Sequence, residues 1–319
     1  MTTADGHPAS RPDADIVDAL RGRGLGVGAL VFEGALLVAL LSALSILLVL
    51  LADVVSGALP TFRTRGIGFV LSGLSLSPDT AGVLTGIAGS VTIAAIVVAL
   101  AFPVGVAAAL YLEEYAEEGW GTTLVDTTVR NLAGVPSIVY GLLGLAVFVP
   151  LVDRIGLGGV SHGRNVIAAG ITMAVLVLPI VIITSAEAIR AVPQTIREAG
   201  FGVGATRWEV IRHHVLPSAL PGILTGTVLT LARALGETAP LLVIGVATGY
   251  FAPPANVGVL ERLTGPYTAL PVIVFSWSRQ TRPEFLETLA PAAIVVLLGV
   301  LFTLNGAAVW LRNRHDRRW

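Results

Sequence analysis

Long uncharged runs separated by short polar segments dominate this chain. Six such runs stand out, at residues 34–52, 80–112, 131–152, 165–186, 215–232 and 288–311. A helix needs about 20 consecutive apolar residues to cross the hydrocarbon core of a bilayer. The pattern therefore predicts an all-α, polytopic membrane protein with six transmembrane helices. The fifth of these helices is expected to continue past Arg233 and Glu237.

Two parts of the pattern do not fit a simple crossing. The run at 80–112 is too long for one straight helix, so we expect residues 80–86 at the membrane interface and a kink at Pro103. The segment 249–287 is rich in proline and aromatic residues. We expect it to fold at the outer surface, where it would meet a solute-binding protein, and the alternative is a re-entrant or interfacial loop.

Composition supports the membrane assignment and excludes several functions. Hydrophobic residues make up 54% of the 319 positions and charged residues 13%, against about 25% charged residues in soluble domains. Mean hydropathy is +0.82. The absence of cysteine excludes disulfides and thiolate metal sites, and the absence of lysine excludes the lysine-containing phosphate loop of ATPases. We therefore expect no catalytic residues, no metal and no cofactor, and the chain is not itself an enzyme.

The predicted organisation has three parts. Residues 1–27 are expected to be a disordered cytoplasmic tail without the features of a cleaved signal peptide. Residues 28–55 are the first transmembrane helix, and residues 80–315 form the membrane core with a polar loop at 187–217.

The distribution of arginine predicts the orientation in the plasma membrane. All 20 basic residues are arginine. Placing both termini in the cytoplasm puts 12 of them inside and 7 outside, so the positive-inside rule favours this topology. The inner ones are Arg11, Arg21, Arg23, Arg130, Arg190, Arg197, Arg207, Arg212, Arg312, Arg314, Arg317 and Arg318. The outer ones are Arg63, Arg65, Arg154, Arg164, Arg262, Arg279 and Arg282. Acidic residues such as Glu113 and Glu114 would then lie inside, where they weigh little in the rule.

The polar loop carries a spaced motif. Glu198, Ala199, Gly204, Leu216 and Pro217 follow the pattern Glu-Ala-Ala, three residues, Gly, nine residues, a branched apolar residue, one residue, Leu-Pro. This pattern resembles the EAA loop of ABC importer permeases. The resemblance implies a type I, MetI-like permease fold and a cytoplasmic coupling helix that docks into a groove on an ATPase subunit.

The residues of this loop also predict its local structure. Pro193 starts a helix, a second helical stretch covers about 206–214, and Gly202 and Gly204 allow a sharp turn between them. The motif is not perfect, since Gly200 replaces the second alanine. An ordinary solvated loop with interfacial arginine and tryptophan anchors is the alternative interpretation.

A pair of opposite charges lies within the fifth predicted helix. Arg233 and Glu237 are four residues apart, so they share a helix face, and they lie at or beyond the membrane midplane. A charge at this depth is costly unless it is paired or hydrated. Two interpretations stay open: a self-neutralising pair that holds helices together, or a cation that lines an anion pathway with Glu237 positioning it.

The sequence around this pair narrows the resemblance. Residues 232–242, Ala-Arg-Ala-Leu-Gly-Glu-Thr-Ala-Pro-Leu-Leu, are similar to the fifth span of the PstA family of phosphate permeases. Further similar stretches are 108–114, 136–142 and 270–275. The resemblance implies half of a phosphate translocation pathway.

The partners implied by the resemblance are a homologous PstC-like permease, a PstB-like ATPase dimer and an extracytoplasmic PstS-like phosphate-binding protein. A permease for another oxyanion, molybdate or sulfate, is one alternative. A secondary transporter is the other, and such a protein should show inverted repeats and membrane-embedded ion ligands.

Overall fold

The computed structural model describes residues 27–117, 119–245 and 259–315, so the predicted tail lies outside the described residues. Within these ranges the chain is helical, and six helices are long and apolar enough to cross a membrane. The prediction of an all-α protein with six spans is confirmed. The first to sixth spans are Val27–Arg65, Leu84–Tyr115, Ser137–Leu157, Val166–Arg190, Arg207–Gly236 and Phe285–Trp310.

Shorter helices connect these spans. They are Ile67–Leu71, Trp120–Ala133, Gly159–Ser161, Gln194–Gly202, Ala239–Ile244, Val259–Thr264 and Leu270–Trp277. Several spans also contain a wider π-helical turn, at Tyr111–Tyr115, Gly144–Phe148, Asp153–Leu157, Ile211–Val215 and Phe285–Leu289. Such turns insert one residue into the helix and rotate the side chains that follow.

Residues 1–53 and 54–319 form two units, and the buried core lies in the second. The fourth span is its central helix, because two-thirds of its most apolar window is buried, against one-third in the second span. Small residues let the neighbouring helices approach it closely. A Cβ atom on Gly105 would lie 2.6 Å from Val181, and one on Gly170 would lie 2.6 Å from Ile96. Glycine at these two positions therefore sets the distance between the second and fourth spans.

A second buried cluster surrounds the short helix Leu270–Trp277. Trp277 packs edge-on against Phe285, with ring centroids 5.6 Å apart, and tilted against Phe69 at 6.2 Å. The backbone N–H of Leu270 donates a hydrogen bond to Ser90 Oγ at 2.9 Å. This helix of eight residues is too short to cross a bilayer, and its buried residues contact the second span. The prediction that 249–287 folds at the outer surface stays a prediction, and the structure adds that this part packs on the helices beside it.

Proline moves the start of the third span. The predicted run began at 131, but an amphipathic helix, Trp120–Ala133, ends before Pro136 and the span starts at Ser137. Proline has no N–H to donate and disfavours helical conformation in the residue before it. At the second span, the helix begins at Leu84 and Pro103 lies within it without interrupting it.

The contact between Gly89 and the loop before Leu270 gives a stability prediction. A Cβ atom on Gly89 would overlap the carbonyl oxygen of Thr268, whereas one on Gly299 would meet nothing within 4 Å. We expect Gly89→Ala to destabilise the fold by about 1–3 kcal/mol through overpacking. Gly299→Ala, the matched control, should leave stability equal or slightly higher. Thermal unfolding of both purified variants in detergent measures the difference, and equal melting temperatures would contradict the packing described.

Candidate functional site

The connecting segment, residues 191–215, follows the fourth span and includes the first turns of the fifth. Its first helix, Gln194–Gly202, begins directly after Pro193. Its second helical stretch begins at Thr206, whose side chain caps the backbone of Glu209 while Glu209 Oε2 accepts from the N–H of Thr206 at 2.8 Å. This reciprocal arrangement satisfies donors that a helix start leaves free. Two predicted features, a helix after Pro193 and a helical stretch near 206–214, are thereby confirmed.

Two glycines shape the segment for different reasons. Gly204 has φ of +82°, a left-handed conformation that glycine adopts without strain. Nothing lies within 4 Å of the position of its missing Cβ atom. Gly200 is buried, and a Cβ atom there would lie 2.7 Å from Val210. Gly204 therefore makes the turn, and Gly200 lets the two helices pack together.

One face of the segment is exposed and the other is buried. Glu198, Ala199 and Gly204 lie on the exposed face. Three apolar side chains that the motif did not predict lie there too. Phe201 is 47% exposed, Val203 85% and Trp208 51%. These exposed apolar side chains on a polar segment make it a candidate for a protein–protein contact. Together, Phe201, Val203 and Trp208 are called the apolar patch below.

The last two motif residues have a different place. Leu216 is half-buried and Pro217 is exposed, and both stand at the start of the helix Leu216–Gly236. Proline fits this first turn because its missing N–H would have no partner there. The structure therefore brings Glu198, Ala199 and Gly204 together and separates them from Leu216 and Pro217.

Three consecutive residues at the end of the second span hold three arginines. Glu113 accepts from Arg190 at 2.5 Å, at the end of the fourth span. Glu114 Oε1 accepts from Arg197 Nη2 at 2.7 Å and from Nε at 3.1 Å. The Arg207 guanidinium lies 5.2 Å from the ring centroid of Tyr115, which is within range of a cation–π contact. We call these three contacts the arginine junction.

An exposed charge pair lies near this junction. Arg130 Nε donates to Asp126 Oδ2 at 2.8 Å on the helix Trp120–Ala133, and both side chains are almost half exposed. The hydrogen bond to Asp126 and its charge raise the pKa of Arg130. Exposed pairs of this kind contribute little to stability.

The fifth span stops at a break within its apolar sequence. Its helix ends at Gly236, Glu237 takes an extended conformation, and a separate helix, Ala239–Ile244, follows. The prediction of one helix continuing past Glu237 is wrong. Pro240 accounts for this, since it cannot donate to the carbonyl of Gly236 and its ring would clash with that group in a continuous helix. Irregular backbone at membrane depth is tolerated where it is buried or lines a cavity.

Arg233 and Glu237 lie on either side of this helix end. Arg233 Nε is 3.6 Å from Glu237 Oε1, an ion pair without a close hydrogen bond. Arg233 lies about 24 Å along the helix from Pro217 at 1.5 Å per residue. Its side chain is 57% exposed, whereas that of Glu237 is 21% exposed. The arginine therefore keeps most of its surface free for another group.

Sequence reasoning missed the junction and the apolar patch. Glu114 and Arg197 are 83 residues apart, so no local spacing connects them. The apolar patch had a weak signal, because Trp208 lies two residues before the buried Val210, which places the two side chains on opposite sides of the second helix.

Comparison with known proteins identifies one family and several related transport permeases. Residues 101–318 match the family described as binding-protein-dependent transport system inner membrane component. The chain is 35% identical over 194 residues to the probable ABC transporter permease protein YqgH of Bacillus subtilis (strain 168). The matched region covers 59% of this chain and 62% of that relative.

Two further comparisons cover more of the chain. It is 32% identical over 238 residues to the phosphate transport system permease protein PstA 1 of Mycobacterium tuberculosis (strain CDC 1551 / Oshkosh), covering 74% of this chain and 72% of the relative. A solved inward-facing structure of the MetNI methionine ABC transporter is 18% identical with a TM-score of 0.52 and covers 74% of this chain and 95% of that chain. At this identity the likeness concerns the fold alone.

Proposed function

We infer the role of this chain from the family to which it belongs, the binding-protein-dependent transport system inner membrane components. It is a multi-pass permease subunit of an ATP-driven phosphate importer and forms half of the translocation pathway. The observation that carries this conclusion is the exposed, motif-bearing connecting segment between two membrane spans. Similarity to a PstA phosphate permease over 74% of the chain supports phosphate as the substrate.

The connecting segment is the contact for the ATPase. Its exposed face combines Glu198, Ala199 and the turn at Gly204 with the apolar patch. Burying an exposed apolar patch against a partner removes its surface from water, which favours association. The ATP-hydrolysing dimer is a separate PstB-like protein, and the chain itself supplies no catalytic residue.

The pathway role falls to Arg233 and Glu237. Arginine stays charged at every physiological pH and presents several donors to oxyanions. The free surface of Arg233 at a helix break supports a position beside passing phosphate, with Glu237 holding the guanidinium in place. A second, PstC-like permease completes the pathway, and a PstS-like binding protein delivers phosphate from outside.

The proposed topology places both termini in the cytoplasm. Arg197 contacts the end of the second span, so the connecting segment and that end lie on the same side of the membrane. Ser161 donates to the carbonyl of Thr264 at 2.8 Å, so the loop after the third span lies beside residues 259–264. Alternation of the spans then puts these two loops on the opposite side from the connecting segment. The excess of inner arginines decides which side is the cytoplasm.

Cysteine labelling tests this orientation. The chain has no cysteine of its own, and positions 203 and 260 are 85% and 64% exposed. On intact, right-side-out cells an impermeant thiol reagent should modify Leu260→Cys and spare Val203→Cys. After permeabilisation of cells that lack the ATPase both should react, which controls for accessibility. Labelling of Val203→Cys alone on intact cells would reject the orientation and with it the ATPase contact.

The turn at Gly204 tests the docking. A side chain in the left-handed region costs about 1–2 kcal/mol, so Gly204→Leu should deform the turn and weaken ATPase association about 5- to 30-fold. Gly121→Leu is the matched control, since Gly121 is exposed, has no neighbour within 4 Å and lies outside the segment. Co-purification of the ATPase with each inserted variant measures the effect. Wild-type recovery with Gly204→Leu would remove the segment from the interface.

Neutral variants of the charge pair test the pathway. If Arg233 serves the anion, the double variant Arg233→Gln with Glu237→Gln should take up less than about a tenth of the wild-type phosphate, because the guanidinium no longer offsets the cost of an anion at this depth. The same complex should still assemble and still stimulate ATP hydrolysis. Uptake near the wild-type level in the double variant would leave the two residues as a structural ion pair.

A further inference from the structure

We propose that the ion pair between Arg197 and Glu114 is a positioning contact that makes the connecting segment move together with the cytoplasmic ends of the second and fourth spans. The proposal rests on the proposed function, because it concerns how movement of a docked ATPase reaches the spans. It adds a role for residues outside the docking motif and outside the transport pathway.

The first support is the set of hydrogen bonds that the Arg197 guanidinium donates. Besides its two hydrogen bonds to Glu114, it donates to the carbonyl of Val192 at 2.7 Å and to that of Ile189 at 3.0 Å. Ile189 lies in the last turn of the fourth span, and Val192 follows two residues after the span ends. A positive charge at this end also interacts favourably with the helix dipole. One side chain therefore joins the connecting segment to two spans.

Burial distinguishes this pair from its neighbours. The side chains of Arg197 and Glu114 are 13% and 8% exposed, whereas that of Arg190 in the adjacent pair is 55% exposed. Losing one partner of a buried pair leaves an uncompensated charge, which is far more costly than losing an exposed pair. The contact therefore resists opening when force is applied to the segment.

The geometry of the second span makes the contact possible. Glu113 and Glu114 are consecutive residues, yet they hold arginines on two different elements, the fourth span and the helix Gln194–Gly202. The span ends here with the π-helical turn Tyr111–Tyr115. Consecutive side chains on a helix point about 100° apart, so two neighbouring glutamates face different elements. Tyr115 then contacts Arg207, which belongs to the second helical stretch of the segment.

The place of Arg197 in the segment connects the pair to docking. It directly precedes Glu198 and Ala199, the exposed motif residues, on one helix of nine residues. A short helix moves as a unit, since each turn is tied to the next by backbone hydrogen bonds. Displacement of the exposed face by the ATPase is therefore passed to Glu114 through Arg197. Without the pair, the segment would move while the spans stayed behind.

The test uses the complete complex of both permeases, the ATPase and the binding protein in proteoliposomes. Arg197→Lys keeps the charge but removes the planar set of donors. We expect ATPase co-purification within twofold of wild type and phosphate uptake per ATP hydrolysed to fall at least tenfold. Glu114→Gln leaves the buried Arg197 charge uncompensated and should lower the ratio at least tenfold as well. Asp126→Asn breaks an exposed pair nearby and should leave the ratio unchanged.

Hydrogen exchange of residues 194–202 in the same complexes gives a second measurement that needs no transport. Both variants at the pair should exchange faster than wild type with the ATPase bound. An unchanged ratio and unchanged exchange would overturn the proposal. Variants that lose ATPase association altogether would also overturn it, in favour of a purely structural role. A wild-type complex that hydrolyses ATP without phosphate uptake would instead reject the proposed function. The hydrogen-exchange data would then still show whether the Arg197–Glu114 pair holds residues 194–202 in place.

Discussion

Hydrocarbon offers no hydrogen-bond partner, and the rest of this structure follows from that constraint. Each span must satisfy its own backbone groups, so the described chain crosses as helices, and charged segments gather at the ends of the spans. Since lipid is as apolar as the helices, association between spans depends on close packing rather than on burial from water. Glycines at the contacts of the second and fourth spans provide that packing.

The same constraint explains where the functional groups lie. The connecting segment is largely polar and exposes the apolar patch, and we propose that it lies outside the hydrocarbon. Its attachment to the membrane part depends on charge, through the arginine junction at the end of the second span. Deep in the membrane part, Arg233 pairs with Glu237, and this ion pair accompanies a break in the helix. In the proposed function, docking and transport therefore use different residues.

The number and approximate positions of the spans were predictable, because an uncharged run long enough to cross a bilayer has few other interpretations in a chain this apolar. Helix ends were less predictable. Pro136 and Pro240 end helices inside runs that hydropathy alone reads as continuous. The burial of Leu270–Trp277 also escaped prediction, since a short apolar helix between prolines fits a surface loop equally well by composition.

Within the site, local chemistry was predictable and long-range contacts were not. The turn at Gly204 follows from its place between two helical stretches, whereas the tight packing of Gly200 depends on Val210, ten residues away. The pairing of Glu114 with Arg197 requires knowing how the second span packs beside the fourth. In the sequence, Glu113 and Glu114 are only acidic residues on the side of the membrane where arginines are in excess.

The most direct test of the central claim is transport by the wild-type complex. The chain should be reconstituted with its second permease, the ATPase and the binding protein, and uptake of radiolabelled phosphate should be measured with excess molybdate or sulfate present. The account predicts phosphate uptake that requires ATP and that neither oxyanion suppresses. Preferential uptake of molybdate or sulfate would contradict the assigned substrate, and uptake driven by an ion gradient without ATP would contradict the assigned mechanism.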